Sequence, residues 1–228
     1  MILLVFTTYI YQLRKKQIYC CYQYSVASQQ LIKLDSLLKN CHGCKVNIQD
    51  TIARRDSTSF NFDADYIVLT YKFNGGRDLD TRTDLLFPEV GVNNTLGYAR
   101  LIQWPNYSSV MKWGGDNTGV GYESVLINLI NFKQQFPNET NLVVDMRGFW
   151  FSSGVVSRNP VFVNATLYKG GTVSGPNNFK FEIRGYTESK SVNSVSKVIT
   201  EKSNGSTNGT RIGTLTYDLA SEQGRFDQ

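Results

Sequence analysis

The sequence has very little of the chemistry on which most enzyme active sites depend. It contains a single histidine, His42, and its four cysteines all lie within the first 44 residues. A Ser-His-Asp or Cys-His arrangement is therefore excluded from the rest of the chain. There is also no Gly-x-Ser-x-Gly elbow, no phosphate-binding Gly-Lys-Ser/Thr loop and no dinucleotide fingerprint. These absences favour a protein that does not catalyse a reaction.

Strong charge and long apolar runs are missing as well. The formal net charge is only +5, and no dense basic stripe marks a nucleic-acid partner. The opening apolar run, Met1 to Phe6, is far shorter than the about 20 residues needed to span a bilayer. Its basic residues, Arg14 to Lys16, follow the run, whereas a signal peptide carries them in front. We expect no nucleic-acid partner, no membrane span and an opening segment that is either a buried strand or an arm that docks on a partner.

The cysteines allow two interpretations. Cys41-His42-Gly43-Cys44 has the spacing of half a zinc site. The remaining pair, Cys20 and Cys21, is adjacent in sequence, which makes it hard for both thiolates to reach one tetrahedral ion. Burial as small apolar side chains at a helix end is the favoured interpretation, with zinc binding as the alternative.

Composition changes near residue 58 and predicts two regions. Residues 1–57 form an N-terminal arm, in which Ala27, Leu31, Leu34 and Leu38 recur at helical spacing within Gln23 to Asn40. A single amphipathic helix cannot bury its own apolar face, so we expect the arm to pack on the same chain, to dock on a partner or to oligomerise. Residues 58–228 form the second region.

The second region is punctuated by glycine, asparagine and proline between β-branched and aromatic runs. This pattern predicts a mainly β fold, an antiparallel two-sheet β-sandwich that follows the N-terminal helical arm. Residues 187–210 are rich in serine, asparagine and lysine and predict a mobile loop or a long hairpin. The predicted strand segments are Tyr66 to Phe73, Ser124 to Ile130, Asn141 to Phe151, Val161 to Tyr168, Phe179 to Tyr186 and Arg211 to Leu219.

Two polar segments are candidates for a binding site. Asp78 and Asp80 follow the first strong strand, and in an extended chain alternate residues point to the same side. Two carboxylates forced together repel each other unless a cation or donor lies between them. The second segment, residues 113–124, supplies Asp116, Asn117 and Glu123 among three closely spaced glycines.

The five side chains Asp78, Asp80, Asp116, Asn117 and Glu123 are all hard oxygen donors. Calcium takes six to eight such oxygens from carboxylates, amides and backbone carbonyls. They therefore predict a Ca²⁺ site. Aspartate, asparagine and glycine are also ordinary turn residues, so the alternative is a pair of hairpin turns that bind no metal.

These motifs resemble those of the tellurium-resistance TerD-like calcium-binding β-sandwich proteins. The resemblance rests on Asp78-Leu79-Asp80, on Gly115 to Gly119 with Gly121 and Glu123, and on Tyr217-Asp218-Leu219. It covers about residues 66 to 222 and implies that the five oxygen donors ligate calcium between two sheets. The acid-rich stretch of that family is reduced here to Val120-Gly121-Tyr122-Glu123, which favours one ion over two.

A second resemblance is to virion structural proteins of tailed phages that infect Bacteroidetes. It is carried by residues 78–83, residues 114–124 and Thr166 to Thr172. It implies a non-enzymatic capsid, tail or fibre component that binds other virion proteins or copies of itself, located in the virion. The alternative is a cytoplasmic TerD-type calcium-binding stress protein.

A carbohydrate-binding module is the third hypothesis. Its sugar platform would consist of aromatic rings, for which Trp104, Trp113, Phe149 and Trp150 are the candidates. Such rings are more often part of a hydrophobic core. This hypothesis, with a surface glycan as partner, requires Trp104 and Trp150 to be exposed on one face.

Overall fold

The computed structural model describes residues 57–88, 94–98 and 109–228. Almost the whole predicted arm lies outside these residues, including its helix, the cysteine cluster and His42. Trp104 also lies outside them. The described part of the chain forms a β-sandwich.

The elements are fourteen β-strands and one short helix within the described residues. Strand β2 coincides with the predicted strand Tyr66–Phe73, and each of the other predicted segments overlaps a strand. The prediction is wrong at Leu129 and Ile130, which belong to the helix. The bounds are β1 Ser57–Asn61, β2 Tyr66–Phe73, β3 Arg77–Phe87, β4 Thr95–Gly97, β5 Met111–Trp113, β6 Gly121–Asn128, α1 Leu129–Gln135, β7 Asn141–Val155, β8 Val161–Lys169, β9 Thr172–Asn177, β10 Lys180–Arg184, β11 Glu188–Lys197, β12 Lys202–Ser203, β13 Thr210–Asp218 and β14 Gln223–Asp227.

Two main sheets form the sandwich. Sheet A has the order β1-β14-β13-β7-β3-β4, and the short strand β12 pairs in parallel with the end of β7. Sheet B has the order β11-β8-β2-β6-β5, and β9 and β10 form a separate hairpin. All pairings except that of β12 are antiparallel. The prediction of a mainly β, antiparallel two-sheet sandwich is therefore confirmed.

The core lies between the inner faces of the two sheets. Every second side chain of β2 points inward, which buries Ile67, Leu69, Tyr71 and Phe73. They pack in one cluster with inward side chains of sheet A such as Met146. Each fully buried aliphatic or aromatic side chain contributes about 1.5–3 kcal/mol. Burial of these inward side chains thus supplies the main driving force for the fold.

One polar contact crosses the core and links the sheets. The Tyr71 hydroxyl lies 2.7 Å from Thr83 Oγ1 and donates to the carbonyl of Arg82 at 3.0 Å. All three residues are buried. Because a buried hydroxyl without a partner is costly, this contact favours one alignment of β2 over β3.

The hairpin of β9 and β10 folds over the outer face of sheet B. Phe181 and Ile183 of the hairpin pack against Tyr66, Val68 and Leu126, which point outward from β2 and β6. This second, smaller apolar cluster explains why those outward positions are not polar. It also brings the hairpin tip beside the start of β6.

Residues 187–210 differ from the prediction of a mobile loop or long hairpin. Glu188–Lys197 is strand β11, which pairs with β8 at the edge of sheet B. The segment after it is held by Trp150, whose indole nitrogen donates to the carbonyl of Ile199 at 2.8 Å. The backbone nitrogen of Trp150 also donates to the carbonyl of Glu201 at 2.9 Å. Polar composition alone had suggested a loop, but edge strands of a sandwich are often polar.

Candidate cation site

The site forms where strand β3 has a free side. Strand β4 pairs only with Arg82, Thr83 and Asp84, so the first residues of β3 have β7 on one side and no strand on the other within the described part of the chain. The loop between β5 and β6, residues 114–120, approaches this free side. The backbone nitrogen of Asp78 donates to the carbonyl of Gly119 at 3.3 Å. The two predicted polar segments therefore meet, although they belong to different sheets.

Asp78 occupies an irregular position in β3. Its φ is +65°, and the pairing with β7 shifts register between Arg77 and Leu79. A left-handed conformation is uncommon for residues other than glycine but is better tolerated by aspartate and asparagine. Such local strain is often found at functional sites, where surrounding contacts maintain it.

Three carboxylates converge at this point and form what we call the acidic cluster: Asp78, Asp80 and Asp116. One carboxylate oxygen of each lies within 4.8 Å of the others. Asp80 is only 2% exposed, and its Oδ2 has no hydrogen-bond partner among the described residues. The Oδ1 atom of Asp116 is also buried and has no partner in the same part of the chain. The cluster thus holds buried oxygens to which none of the residues that the structure describes donates a hydrogen bond.

The electrostatics of the acidic cluster are unfavourable without a cation. Burial, together with the charges of Asp116 and Asp78, raises the pKa of Asp80 to about 7, although the Arg82 guanidinium acts in the opposite direction. Burial raises the pKa of Asp78, and burial with the charge of Asp78 raises the pKa of Asp116. A cation between the carboxylates would remove this penalty and stabilise their ionised forms.

Asn117 shapes the loop through hydrogen bonds within it. Its Oδ1 accepts from the backbone nitrogen of Gly119 at 3.0 Å, and its Nδ2 donates to the carbonyl of Tyr122 at 3.2 Å. Both polar atoms of this side chain are thus engaged within the loop. Asn117 therefore holds the loop in the conformation that presents Asp116.

Glu123 lies beneath the loop and is completely buried. Its carboxylate accepts from the backbone nitrogen of Asn117 at 2.9 Å, from Trp113 Nε1 at 3.2 Å and from the Thr81 hydroxyl. Burial raises the pKa of Glu123 to about 8, against the effect of these donors. Since Thr81 belongs to β3, Glu123 ties the loop to both sheets.

The structure thus separates the five predicted ligands into two groups. Asp78, Asp80 and Asp116 come together, whereas Asn117 and Glu123 use their oxygens in hydrogen bonds that position the loop. Thr81 and Trp113 were not predicted as partners of Glu123. Both stand within or beside the two polar segments, but nothing in their spacing shows that they reach one carboxylate from opposite sheets.

The donor set of the acidic cluster fits a hard divalent cation. It offers carboxylate oxygens and no nitrogen or sulfur ligand, a combination that suits Ca²⁺, Mg²⁺ or Mn²⁺ better than Zn²⁺ or Cu²⁺. Oxygens on opposite sides of Ca²⁺ stand about 4.8 Å apart, since each lies about 2.4 Å from the ion. The spread of the three carboxylates is within this limit. Calcium also tolerates irregular geometry, and solvent can complete its coordination because Asp78 and Asp116 are only half-buried.

A second group of charged side chains lies on the outer face of sheet A, and its acids, unlike those of the acidic cluster, are paired with arginines. Arg147 Nε lies 2.9 Å from Asp84 Oδ2, and its Nη2 lies 3.1 Å from Asp145 Oδ2. Arg211 Nε lies 3.2 Å from the other oxygen of Asp145. Here every acid has a basic partner. Asp84 and Asp80 are on the same strand and both are buried; Asp84 forms an ion pair with Arg147, whereas Asp80 Oδ2 has no hydrogen-bond partner among the described residues.

The aromatic platform predicted for a sugar is not formed by the residues that the structure describes. Phe149 and Trp150 have no exposed surface. Trp113 is 9% exposed, and its indole nitrogen is engaged by Glu123. The carbohydrate-binding hypothesis requires Trp150 to be exposed, and this requirement is not met, because the Trp150 ring packs in the core against Phe73.

Comparison with known protein families, with characterised proteins and with solved structures finds no match to this chain. The acidic cluster must therefore be interpreted from its own geometry. In the described residues, no helix has the length and apolar character needed to cross a bilayer.

Proposed function

We propose that this chain is a non-enzymatic binding and assembly module whose β-sandwich is stabilised by one divalent cation, with Ca²⁺ as the preferred ion. The observation that carries this proposal is Asp80, a buried carboxylate with an unpartnered oxygen that faces two further acids in the acidic cluster. Leaving such a group unpaired costs free energy, and a bound cation offsets that cost.

The cation has a structural role in this proposal. It joins Asp78 and Asp80 of sheet A to Asp116 of the loop that leads into sheet B. Neighbouring groups that could serve a reaction are already engaged, since Glu123 accepts three hydrogen bonds and Thr81 donates one of them. The only histidine is His42, far from this site in sequence.

A calcium titration tests the cation site directly. Isothermal titration calorimetry should show one ion bound by the natural protein and none by Asp116→Ala. The matched control is Asp84→Asn, which removes a buried acid of β3 that already has Arg147 as its partner. It should bind calcium as the natural protein does. No heat of binding in the natural protein would refute the proposal and leave the two segments as ordinary turns.

The role in assembly rests on sequence alone. We propose that the module is a virion component that binds other virion proteins or copies of itself, supported by the resemblance to phage structural proteins and by the amphipathic pattern of residues 1–57. Light scattering should show a defined assembly for the full chain and a folded monomer after removal of residues 1–45. A monomeric full chain that binds calcium would favour the TerD-type stress protein.

A further inference from the structure

The tip of the β9–β10 hairpin rests on the loop that carries Asp116. A Cβ atom at Gly114 would lie 2.5 Å from the carbonyl oxygen of Phe179, so only glycine allows this approach. A Cβ at Gly115, next to Asp116, would lie 3.5 Å from the Phe179 ring. The loop thus has the acidic cluster on one side and the hairpin tip on the other.

Ser124 fastens the tip to the strand that follows the loop. Its hydroxyl donates to the carbonyl of Phe179 at 2.8 Å and accepts from the backbone nitrogen of Phe181 at 3.1 Å. The neighbouring residue, Glu123, holds the backbone of Asn117 within the loop. A short chain of contacts therefore leads from Asp116 to the hairpin.

The conformation of the tip needs such support. Asn178 and Phe179 have φ values of +47° and +65°, in the left-handed region. For Phe179 this conformation costs roughly 1–2 kcal/mol. A further contact, between Lys180 Nζ and the Tyr122 ring at 3.4 Å from its centroid, holds the next residue. If the loop moves, the tip loses the surface that keeps it in this strained form.

We infer that cation binding at the acidic cluster fixes the hairpin tip, residues 177–181, so that the tip presents a defined surface only when the ion is bound. The inference rests on the proposed cation site and adds its regulation. Without the ion, repulsion among three carboxylates displaces residues 114–120 from β3. With the ion, Asp116 is drawn toward Asp78 and Asp80, and the loop returns beneath Phe179.

Hydrogen–deuterium exchange of the full chain, with calcium chloride or with chelator, tests this coupling. Calcium should slow exchange of the Phe181 amide and of peptides spanning residues 172–184 by about fivefold or more, within the usual range of coupling between sites. Sodium chloride at the same ionic strength controls for salt screening. Peptides of β11, on the opposite edge of sheet B, should not respond.

Ser124→Ala separates coupling from binding, because it leaves all three acids in place. At saturating calcium this variant should still bind one ion, but exchange of residues 172–184 should remain fast. Coupling between two sites is reciprocal, so loss of the ordered tip should also weaken calcium binding. The calcium affinity of this variant should fall by the factor by which calcium slows exchange at the tip of the natural protein. Ser191→Ala, an exposed serine of β11, is the matched control and should behave as the natural protein. If Ser124→Ala does not fold, Gly114→Ala displaces the tip by steric contact instead.

The outcomes separate the two proposals. Calcium binding with protection of the tip that Ser124→Ala or Gly114→Ala abolishes supports the inference. Calcium binding with unchanged exchange at residues 172–184 overturns it and leaves the cation site standing. No calcium binding in the calorimeter overturns the cation site and the coupling together.

Discussion

Replacement of Asp80 by asparagine should change the stability of this protein in opposite directions with and without calcium. Asp80→Asn keeps the size of the side chain but removes its charge. Without calcium, the natural protein contains a buried carboxylate with an oxygen that has no partner, next to two other acids. The neutral amide relieves that repulsion, so the variant should unfold at a higher temperature than the natural protein in chelator.

With calcium the order should reverse. One site at a hundredfold excess of ion over Kd raises the free energy of unfolding by about 2.7 kcal/mol. In a domain of this size that corresponds to about 5–11 °C in Tm, taking about 2–4 °C per kcal/mol. In chelator, removal of the unpaired charge should raise the free energy of unfolding by on the order of 1 kcal/mol. The variant should therefore have a Tm a few degrees higher than the natural protein in chelator, but it should lack the larger increase that calcium gives the natural protein.

Thermal unfolding at pH 8, followed by circular dichroism with calcium or chelator, measures both effects. Asp84→Asn again serves as the control: it should lose stability by a similar amount in both conditions, because its carboxylate is paired with Arg147 whether or not calcium is present. A variant Asp80→Asn that is destabilised in chelator would show that Asp80 has a stabilising partner, and the argument for a cation would fail.

Four further results are expected. Because the pKa of Asp80 is raised to about 7, protons should compete with calcium, so titrations should show affinity falling as the pH drops below about 7. In chelator the same raised pKa stabilises the folded state at low pH. The contribution of Asp80 to the free energy of unfolding is greatest below the ordinary pKa of aspartate and is lost as the pH rises through about 7. Chemical denaturation should therefore show the free energy of unfolding declining over that range. A calcium affinity that rises on acidification would contradict the assignment of Asp80 as a calcium ligand. Glu123→Gln should weaken calcium binding about tenfold, since one carboxylate oxygen that holds the loop becomes a donor, whereas unchanged affinity would mean that the loop needs no such anchor. Tyr71→Phe should cost about 0.5–1.5 kcal/mol in urea unfolding through loss of its bonds to β3, with calcium affinity unaltered, and a large loss of affinity would show that the site depends on this core contact.

The fold could be anticipated from sequence where local pattern alone decides the structure. Strand β2 was predicted to the residue because β-branched and aromatic residues dominate it and the turn Asn74-Gly75-Gly76 follows it. The helix α1 was missed, because its first apolar residues, Leu129 and Ile130, follow the apolar run of β6 after a single polar residue. Asn128 caps it through its side chain, which accepts from the backbone nitrogen of Asn131 at 3.0 Å.

The sequence by itself determined the class of fold, the two polar segments and the hard-oxygen chemistry of their side chains. Only the tertiary structure decided which of those side chains share a site. Asp116 reaches Asp78 and Asp80 because β4 is short and leaves one side of β3 free. Glu123 points into the interior instead, where its carboxylate accepts hydrogen bonds from Thr81 and Trp113. Residue type and spacing act over a few positions along one strand, whereas the packing of two sheets sets which distant loop faces which edge.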